Sequence, residues 1–456
     1  MMTRRGLLGA AVLAGVARGQ KRVFDVRTYG AAGDGQTLDT AAIQKAIDAA
    51  AGAGGGQVLV PGGKKFLIGT LVLKSGIDFH LADDAQLLVS TRAADYPAGS
   101  DGVLTANGAN GLKISGTGRI EGRAEQFMTS YSKEGEIWLP ARFRPKIFVL
   151  AGCKDLEVRD ITFAQAPFWG LHMLGCERVL VDGLKIRNNL EVPNCDGIDP
   201  DHCRDVEIRN CDIECGDDAI VVKATRQAVE YGPSARIHVH DCVMATKDSG
   251  LKIGTETTAD VYGIRFEKCR VKSCCRGLTI QLRDEGNVYD IDFSGIEFTA
   301  QYQAAPWWGR GEAVSLTAMP RARGVKVGRI HDVRLRDITA RAENSVRING
   351  SAESRIANVT LDRLKLTMDR WSSYPGAVFD NRPTSAYADL EKHATPAISL
   401  RDADGVTVRD SAIEWGKDRP DYFTHALEAE RVTNLALTRF TGDAAHPERD
   451  AAVLVR

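Results

Sequence analysis

The sequence has no surplus of either charge. Its 456 residues carry 59 Lys+Arg against 60 Asp+Glu, a formal net charge of −1. That balance excludes nucleic-acid binding through a general basic field. Proline is scarce, at 15 residues, so the chain is not a Pro-rich linker array. With 43% hydrophobic and 26% charged residues, it is not a disordered acidic chain either. No apolar run reaches the length of a membrane span. Cysteine is missing before position 153 and after 275, and no C-x-x-C pair occurs. This argues against a disulfide-stapled scaffold and against a zinc ribbon. Glycine, by contrast, is plentiful at 45 residues, above the usual ~7%. One compact core rarely grows past ~250–300 residues, so the chain is either multidomain or an elongated repeat.

The N-terminus has the layout of an export signal. Arg4-Arg5 precede an apolar stretch at 6–16 and a small-residue site, Ala17-Arg18-Gly19. The run Thr3-Arg4-Arg5-Gly6-Leu7-Leu8 is similar to a twin-arginine signal. Residues 1–19 are therefore expected to be a leader, and the mature protein to be exported, with no membrane or nucleic-acid partner. Three of the ten cysteines, Cys211, Cys242 and Cys269, occupy matching places in repeated segments. They are read as small buried hydrophobes in a ladder. A bridge near Cys195–Cys215 or at Cys274/Cys275 stays open.

The repeat decides the fold class. Leu156-Glu157-Val158-Arg159-Asp160, Val179-Leu180-Val181-Asp182-Gly183 and Val206-Glu207-Ile208-Arg209-Asn210 share one pattern. Ile237-His238-Val239-His240-Asp241, Ile264-Arg265-Phe266-Glu267-Lys268 and Ile291-Asp292-Phe293-Ser294-Gly295 continue it. Later copies begin at Val333, Val359 and Val406. The central apolar residues Val158, Val181, Ile208, Val239, Phe266 and Phe293 recur at steps of 23, 27, 31, 27 and 27. Such periods mean a solenoid or a propeller. Apolar-x-apolar alternation marks strands with one buried face. A propeller blade needs ~40 residues of antiparallel hairpins, and these copies are too close together. The expected fold is all-β, a parallel β-helix. Residues 39–51, with Asp39 or Thr40 as N-cap and Ile43, Ala46, Ile47 and Ala50 on one face, read as a capping helix. Residues 20–105 are expected to form the cap and first coils, continuous with a solenoid over 106–456. Two segments, 301–323 and 371–395, break the rhythm and are expected to build the binding face.

The densest acidic cluster is Asn194-Cys195-Asp196-Gly197-Ile198-Asp199-Pro200-Asp201, followed by Gly216-Asp217-Asp218. Asp196 and Asp217 are 21 positions apart, about one coil, and should sit one above the other. Crowded carboxylates cannot all ionise freely, so one is pushed towards the protonated form a general acid needs. Paired carboxylates also flank the scissile bond in glycoside hydrolysis. Asp and Asn are equally the common residues of solenoid turns, and composition alone favours that structural role. On a regular strand Asp217 and Asp218 would face opposite ways, so a shared site requires a bend, which Gly216 permits.

These residues resemble a known family. Asn194-Cys195-Asp196-Gly197-Ile198-Asp199 and Gly216-Asp217-Asp218-Ala219-Ile220 resemble the two acidic motifs of glycoside hydrolase family 28, the polygalacturonase-like enzymes. Phe24-Asp25-Val26-Arg27-Thr28-Tyr29-Gly30-Ala31 with Gly33-Asp34-Gly35, and Pro167-Phe168-Trp169-Gly170-Leu171-His172, resemble further family segments. The resemblance runs from about Phe24 to about Ile296. It implies a right-handed pectin-lyase-like β-helix and inverting hydrolysis of a pectin-type polysaccharide or oligosaccharide, with no metal and no cofactor. Carried over by position, Asp217 would protonate the leaving oxygen, and Asp196 and Asp218 would activate water. The family's Gly-His-Gly falls on Asp248-Ser249-Gly250, and its Arg-Ile-Lys on Thr279-Ile280-Gln281. Both cations that would meet a uronate carboxylate are therefore gone. A neutral, deoxy or branched sugar is expected instead, unless Arg283, Lys252 or Arg276 rebuilds the contact.

Other candidates follow from residue type. Trp307 and Trp308 offer flat apolar faces to a pyranose, or else pack the loop. His172 lines the cleft or is a satisfied structural histidine. Lys223 pairs with Asp196 or Asp218, or is a solvated surface lysine. Glu256 would bind a sugar hydroxyl. His238 and His240 lack a third ligand at suitable spacing and are read as surface residues. Two other functions compete with a monomeric exported hydrolase. A β-helix lyase would need calcium, a basic proton abstractor and a uronate. A non-catalytic glycan-binding solenoid would leave the Asp cluster merely structural.

Overall fold

The computed structural model describes residues 22–456. The leader expected at 1–19 lies outside the described residues. From Val23–Asp25 to Val453–Val455 the chain coils into one continuous 36-stranded parallel sheet system, a right-handed parallel β-helix. The ladder read from the sequence is the register observed. Val158 pairs with Val181, Val181 with Ile208, Ile208 with Val239, Val239 with Phe266, and Phe266 with Phe293. Phe266 and Phe293 stack with ring centroids 4.9 Å apart. Parallel strands at ~4.8 Å spacing place equivalent side chains in contact, so each apolar ladder forms one wall of the core.

The recurring polar residue after each such strand has a backbone reason. Asp160, Gly183, Asn210, Asp241, Lys268 and Gly295 occupy equivalent turns and have φ between 50° and 69°. That left-handed region is unfavourable for most side chains and is tolerated best by Gly, Asn and Asp. The cysteines behave as packing residues. All ten are buried free thiols, so neither of the bridges left open forms. Cys211, Cys242 and Cys269 stack as expected, and Cys153, Cys176 and Cys203 make a second ladder that was not foreseen.

Helix α1 (Thr40–Gly52) covers the first coil with Ile43, Ala46, Ile47 and Ala50. Asp39 is its N-cap residue, with its carbonyl accepting the N–H of Ile43 at 3.0 Å, but the Asp39 side chain makes no capping bond. Its buried carboxylate accepts the N–H groups of Ala32 (2.7 Å) and Gly33 (3.1 Å). Thr40 Oγ1 accepts the N–H of Gly69 at 2.8 Å. The side chains of Asp39 and Thr40 therefore tie the helix to the first coils.

One face of the solenoid positions the site. Its strands are β1 (Leu171–Leu174), β2 (Ile198–Asp201), β3 (Ile220–Ala224), β4 (Ser249–Thr257), β5 (Arg276–Leu282) and β6 (Glu312–Ala318). They pair in that order. Residues 301–311 of the first irregular segment and the second segment, 371–395, lie over this face, whereas 312–318 of the first are β6 itself. Beside them is a third insertion that the repeat did not reveal, an antiparallel hairpin of Met128–Ser132 and Ile137–Pro140. Glu136 in that hairpin joins the three. Its carboxylate accepts from Tyr374 Oη (2.5 Å) and Lys247 Nζ (3.0 Å), and its carbonyl accepts from Trp307 Nε1 (3.2 Å).

Candidate active site

Asp217 and Asp218 sit in the bend between Asp212–Cys215 and β3, and Asp196 in the approach to β2. Ile198 pairs with Ile220, which places Asp196 beside Asp218, both two residues earlier, rather than over Asp217 as the spacing suggested. The carboxylates of Asp196, Asp217 and Asp218 each bring an oxygen within 4.8 Å of the other two. The bend is held from several sides. Gly216 donates to Cys195 Sγ at 3.0 Å, and the Asp217 carbonyl accepts from Cys215 Sγ (3.1 Å) and from Thr246 Oγ1. Gly216 is needed for space. A Cβ there would lie 2.3 Å from the Val192 carbonyl oxygen and 2.9 Å from that of Leu190. Asn194, at φ 58°, points its own N–H at Asp217 Oδ2 (2.9 Å). The N–H of Asp218 reaches Asp217 Oδ1 at 3.0 Å.

The three acids have different surroundings. Asp217 is pushed up to about 7 by burial and by the charges of Asp196 and Asp218. Burial and the neighbouring Asp199 raise Asp196 well above the carboxylate range, and burial raises Asp199 to about 7. Asp196 Oδ1 and both Asp199 oxygens are buried with no donor among the described residues. Two such carboxyl groups satisfy one another only when a proton is shared between them. Among the three, Asp218 has a described cation at hydrogen-bond distance, with Lys252 Nζ 2.7 Å from its Oδ2. Its Oδ1 accepts the N–H of Ser249 at 3.3 Å. Asp248 is pushed up to about 8 by burial and by Asp218.

A cleft of about 230 Å³ opens over these groups. Of the residues expected in the site, it gathers Asp196, Asp217, Asp218, Lys223, Lys252, Glu256, Trp307 and Trp308. Lys223 is no surface lysine. It is buried, 3.3 Å from Glu256, 3.8 Å from Asp196 and 4.0 Å from Asp199. Burial alone would lower the Lys223 ammonium, but Glu256 and Asp196 overcome this and raise it. Glu256 falls to about 2, because Lys223 and Lys252 outweigh its desolvation. Trp307 is 3% exposed and bonded into the hairpin, whereas Trp308 is 39% exposed, with the Arg382 guanidinium 6.0 Å from its ring.

Six expected residues stand outside the cleft. Ser249, Thr279, Gln281 and Arg283 are fully buried. Segment 378–384 is packed against this part of the face. Gln281 Nε2 donates to the Arg382 carbonyl at 3.2 Å. Arg283 donates to the carbonyls of Asn381, Pro383 and Thr317, so it cannot turn to a substrate. His172 pairs with Asp201 at 3.1 Å, and burial lowers its basicity, so it is the structural histidine. Arg276 is also fully buried, between Asp248 (3.5 Å) and Asp380 (3.5 Å). His238 and His240 do lie on the outer surface, beside Glu267 and Glu207. The cleft also takes in Ile137, Trp169, Asn194, Asp248 and Thr255. Trp169, Asn194 and Asp248 belong to the family-like motifs, which by themselves assign them no role. Ile137 carried no signal, because its hairpin is an insertion into the repeat.

Comparison with known proteins agrees with this geometry. The profile of "Glycosyl hydrolases family 28" matches residues 53–381. A probable polygalacturonase of Vitis vinifera is 28% identical over 291 residues, 59% of this chain and 59% of its own length. The chain thus spans about three-fifths of that relative. An exopolygalacturonase of Zea mays is 24% identical over 396 residues, 83% of this chain and 92% of its own. The solved family 28 exopolygalacturonase of Yersinia enterocolitica superposes with a TM-score of 0.67 at 19% identity, covering 96% of this chain and 78% of that one, a likeness of fold. An acid trio on consecutive coils, together with a family match over most of the solenoid, places this chain in glycosyl hydrolase family 28.

Proposed function

We propose that the protein is an exported, monomeric glycoside hydrolase that cleaves pectin-type polysaccharide or oligosaccharide by inverting acid/base hydrolysis, and that it is not a strict polygalacturonase. The observation that carries this reading is the split within the trio. Asp217 is raised to about 7, while its neighbour Asp218 is ion-paired to Lys252. A carboxyl that holds its proton beside one that is ion-paired to a lysine supplies an acid and a base at one site. Asp217 gives its proton to the glycosidic oxygen as the C–O bond breaks. Water, held between Asp218 and Asp196, attacks the anomeric carbon and passes its proton to Asp218. Inversion is supported by the family rather than by the spacing, which is shorter than the ~6.5–9.5 Å usual for inverting pairs. The same spacing would admit a divalent cation, but Lys223 and Lys252 already bring positive charge to the trio. The leader-like residues 1–19 support export.

The sugar class is inferred from the cations. Thr279 and Gln281 stand where the family has its basic pair, and both are buried away from the cleft. Lys223 and Lys252 are committed to Glu256 and Asp218, and Arg276 and Arg283 are enclosed. None of these four cations is free to meet a uronate carboxylate in the cleft, whereas a neutral or deoxy sugar would not need one. The packed segment 378–384 supports attack at a chain end. The experiment is a screen of polygalacturonate and rhamnose-containing pectin oligosaccharides, following reducing-end release by the wild type and by Asp217→Asn. Preferential release from the rhamnose-containing substrates is expected. Fast, selective polygalacturonate cleavage would refute the neutral subsite.

A further inference from the structure

The cations of this site have a place in the register that the motif comparison does not show. Lys252 on β4 pairs directly with Thr279 on β5, one coil further on. Positive charge is therefore present in the column where the family's pair would stand, but one coil earlier. There it meets Asp218 instead of a ligand. The Lys252 and Asp218 side chains are each only 3% exposed, and their 2.7 Å contact is a charge-assisted bond. The residue that replaces the family's histidine does not fill this role. Ser249 Oγ turns to Asp248 Oδ1 at 3.0 Å.

We propose that Lys252 is a positioning residue for Asp218, supplying the fixed positive charge that keeps this buried side chain an oriented carboxylate beside Asp196 and Asp217. The proposal rests on the reading of Asp217 as acid and Asp218 as base. The surroundings of Asp218 show why one ammonium matters. Asp196 and Asp199 face it from the β2 side, Asp217 from its own turn, and Asp248 from the turn before β4. All four are acidic. Lys223 is the other cation near it, and it is shared among Glu256, Asp196 and Asp199. Arg276 is spent between Asp248 and Asp380. A carboxylate buried among acids without a countercharge takes up a proton, and a protonated Asp218 cannot accept one from water.

The test is the pH profile of kcat and kcat/KM on a pectin oligosaccharide mixture for the wild type, K252M, K252R and D217N, with folding checked by circular dichroism. In K252M the acid limb of kcat/KM is expected to move up by about 1–3 pH units, with kcat lowered and KM little changed. The basic limb, which follows Asp217 and feels Lys252 less, should move less. K252R keeps the charge and should restore the wild-type limb. A folded K252M with an unmoved acid limb overturns the proposal. So does a raised KM with unchanged kcat, which would make Lys252 a substrate contact. If K252M does not fold, K252R carries the test, because a displaced limb in folded K252R also overturns it. Full activity of D217N would instead remove the acid/base reading itself, whatever K252M shows.

Discussion

Replacing Asp217 by Asn should stop the reaction and, at neutral pH and above, stabilise the fold. The carboxyl stands at about 7 in the folded protein, against ~3.9 for an unperturbed Asp. Below pH ~4 both folded and unfolded chains hold the proton, and the group is neutral to stability. Between there and about 7 the unfolded chain ionises while the folded one does not. Stability is therefore lost as pH rises, by up to about 4 kcal/mol once both forms are ionised. Asp217 is only half-buried at the cleft, and water there screens part of this, so about 2 kcal/mol is the working figure. Asn removes that penalty. It accepts through one oxygen, however, so one of the two bonds from Asn194 and Asp218 is lost, at a cost of about 1 kcal/mol at every pH. Urea unfolding near pH ~4 should show the variant about 1 kcal/mol weaker than wild type, and near pH ~8 about 1 kcal/mol stronger. Turnover should fall by about 10²–10⁴-fold. An equal stability gap at both pH values would refute the assigned environment of Asp217.

Wild-type kcat should fall as pH rises through about 7, as Asp217 loses the proton it must donate, measured by initial rates across the neutral range. Trp308→Ala should raise KM by roughly 2–10-fold with little loss of fold stability, matching an exposed ring that stacks on sugar. Gly216→Ala should cost about 1–3 kcal/mol in denaturant titration and lower activity with it, since its Cβ would press on two backbone carbonyls. Chelation with EDTA should leave the rate unchanged. Calcium dependence would favour the lyase mechanism.

The solenoid was legible because its physics repeats. The ladder from Val158 to Phe293 and the left-handed turns at Asp160, Asn210 and Asp241 each impose one residue type at one place in every coil. The acid trio was legible for a related reason, since spacing by one coil becomes adjacency. Where the chain leaves the repeat, the sequence was silent. Nothing in residues 128–140 announced that Ile137 would wall the cleft or that Glu136 would join three insertions. Gln281 and its neighbour Arg283 stand outside the cleft for the same cause. A motif alignment fixes the column of a side chain, but segment 378–384, distant in sequence, decides whether that column is open. Lys252 shows the converse, as a lysine read as a possible uronate contact gave no sign that Asp218 would claim it, whereas the pairing of Lys223 with Asp196 was legible and is found at 3.8 Å.

The most direct test of the acid trio as a hydrolytic centre is proton NMR of the first-formed product from a pectin oligosaccharide, with wild type and Asp217→Asn side by side. A saturated new reducing end, released first with inverted anomeric configuration by the wild type and not by the variant, is the expected result. An unsaturated product, a retained anomer, or equal release by both proteins would contradict it.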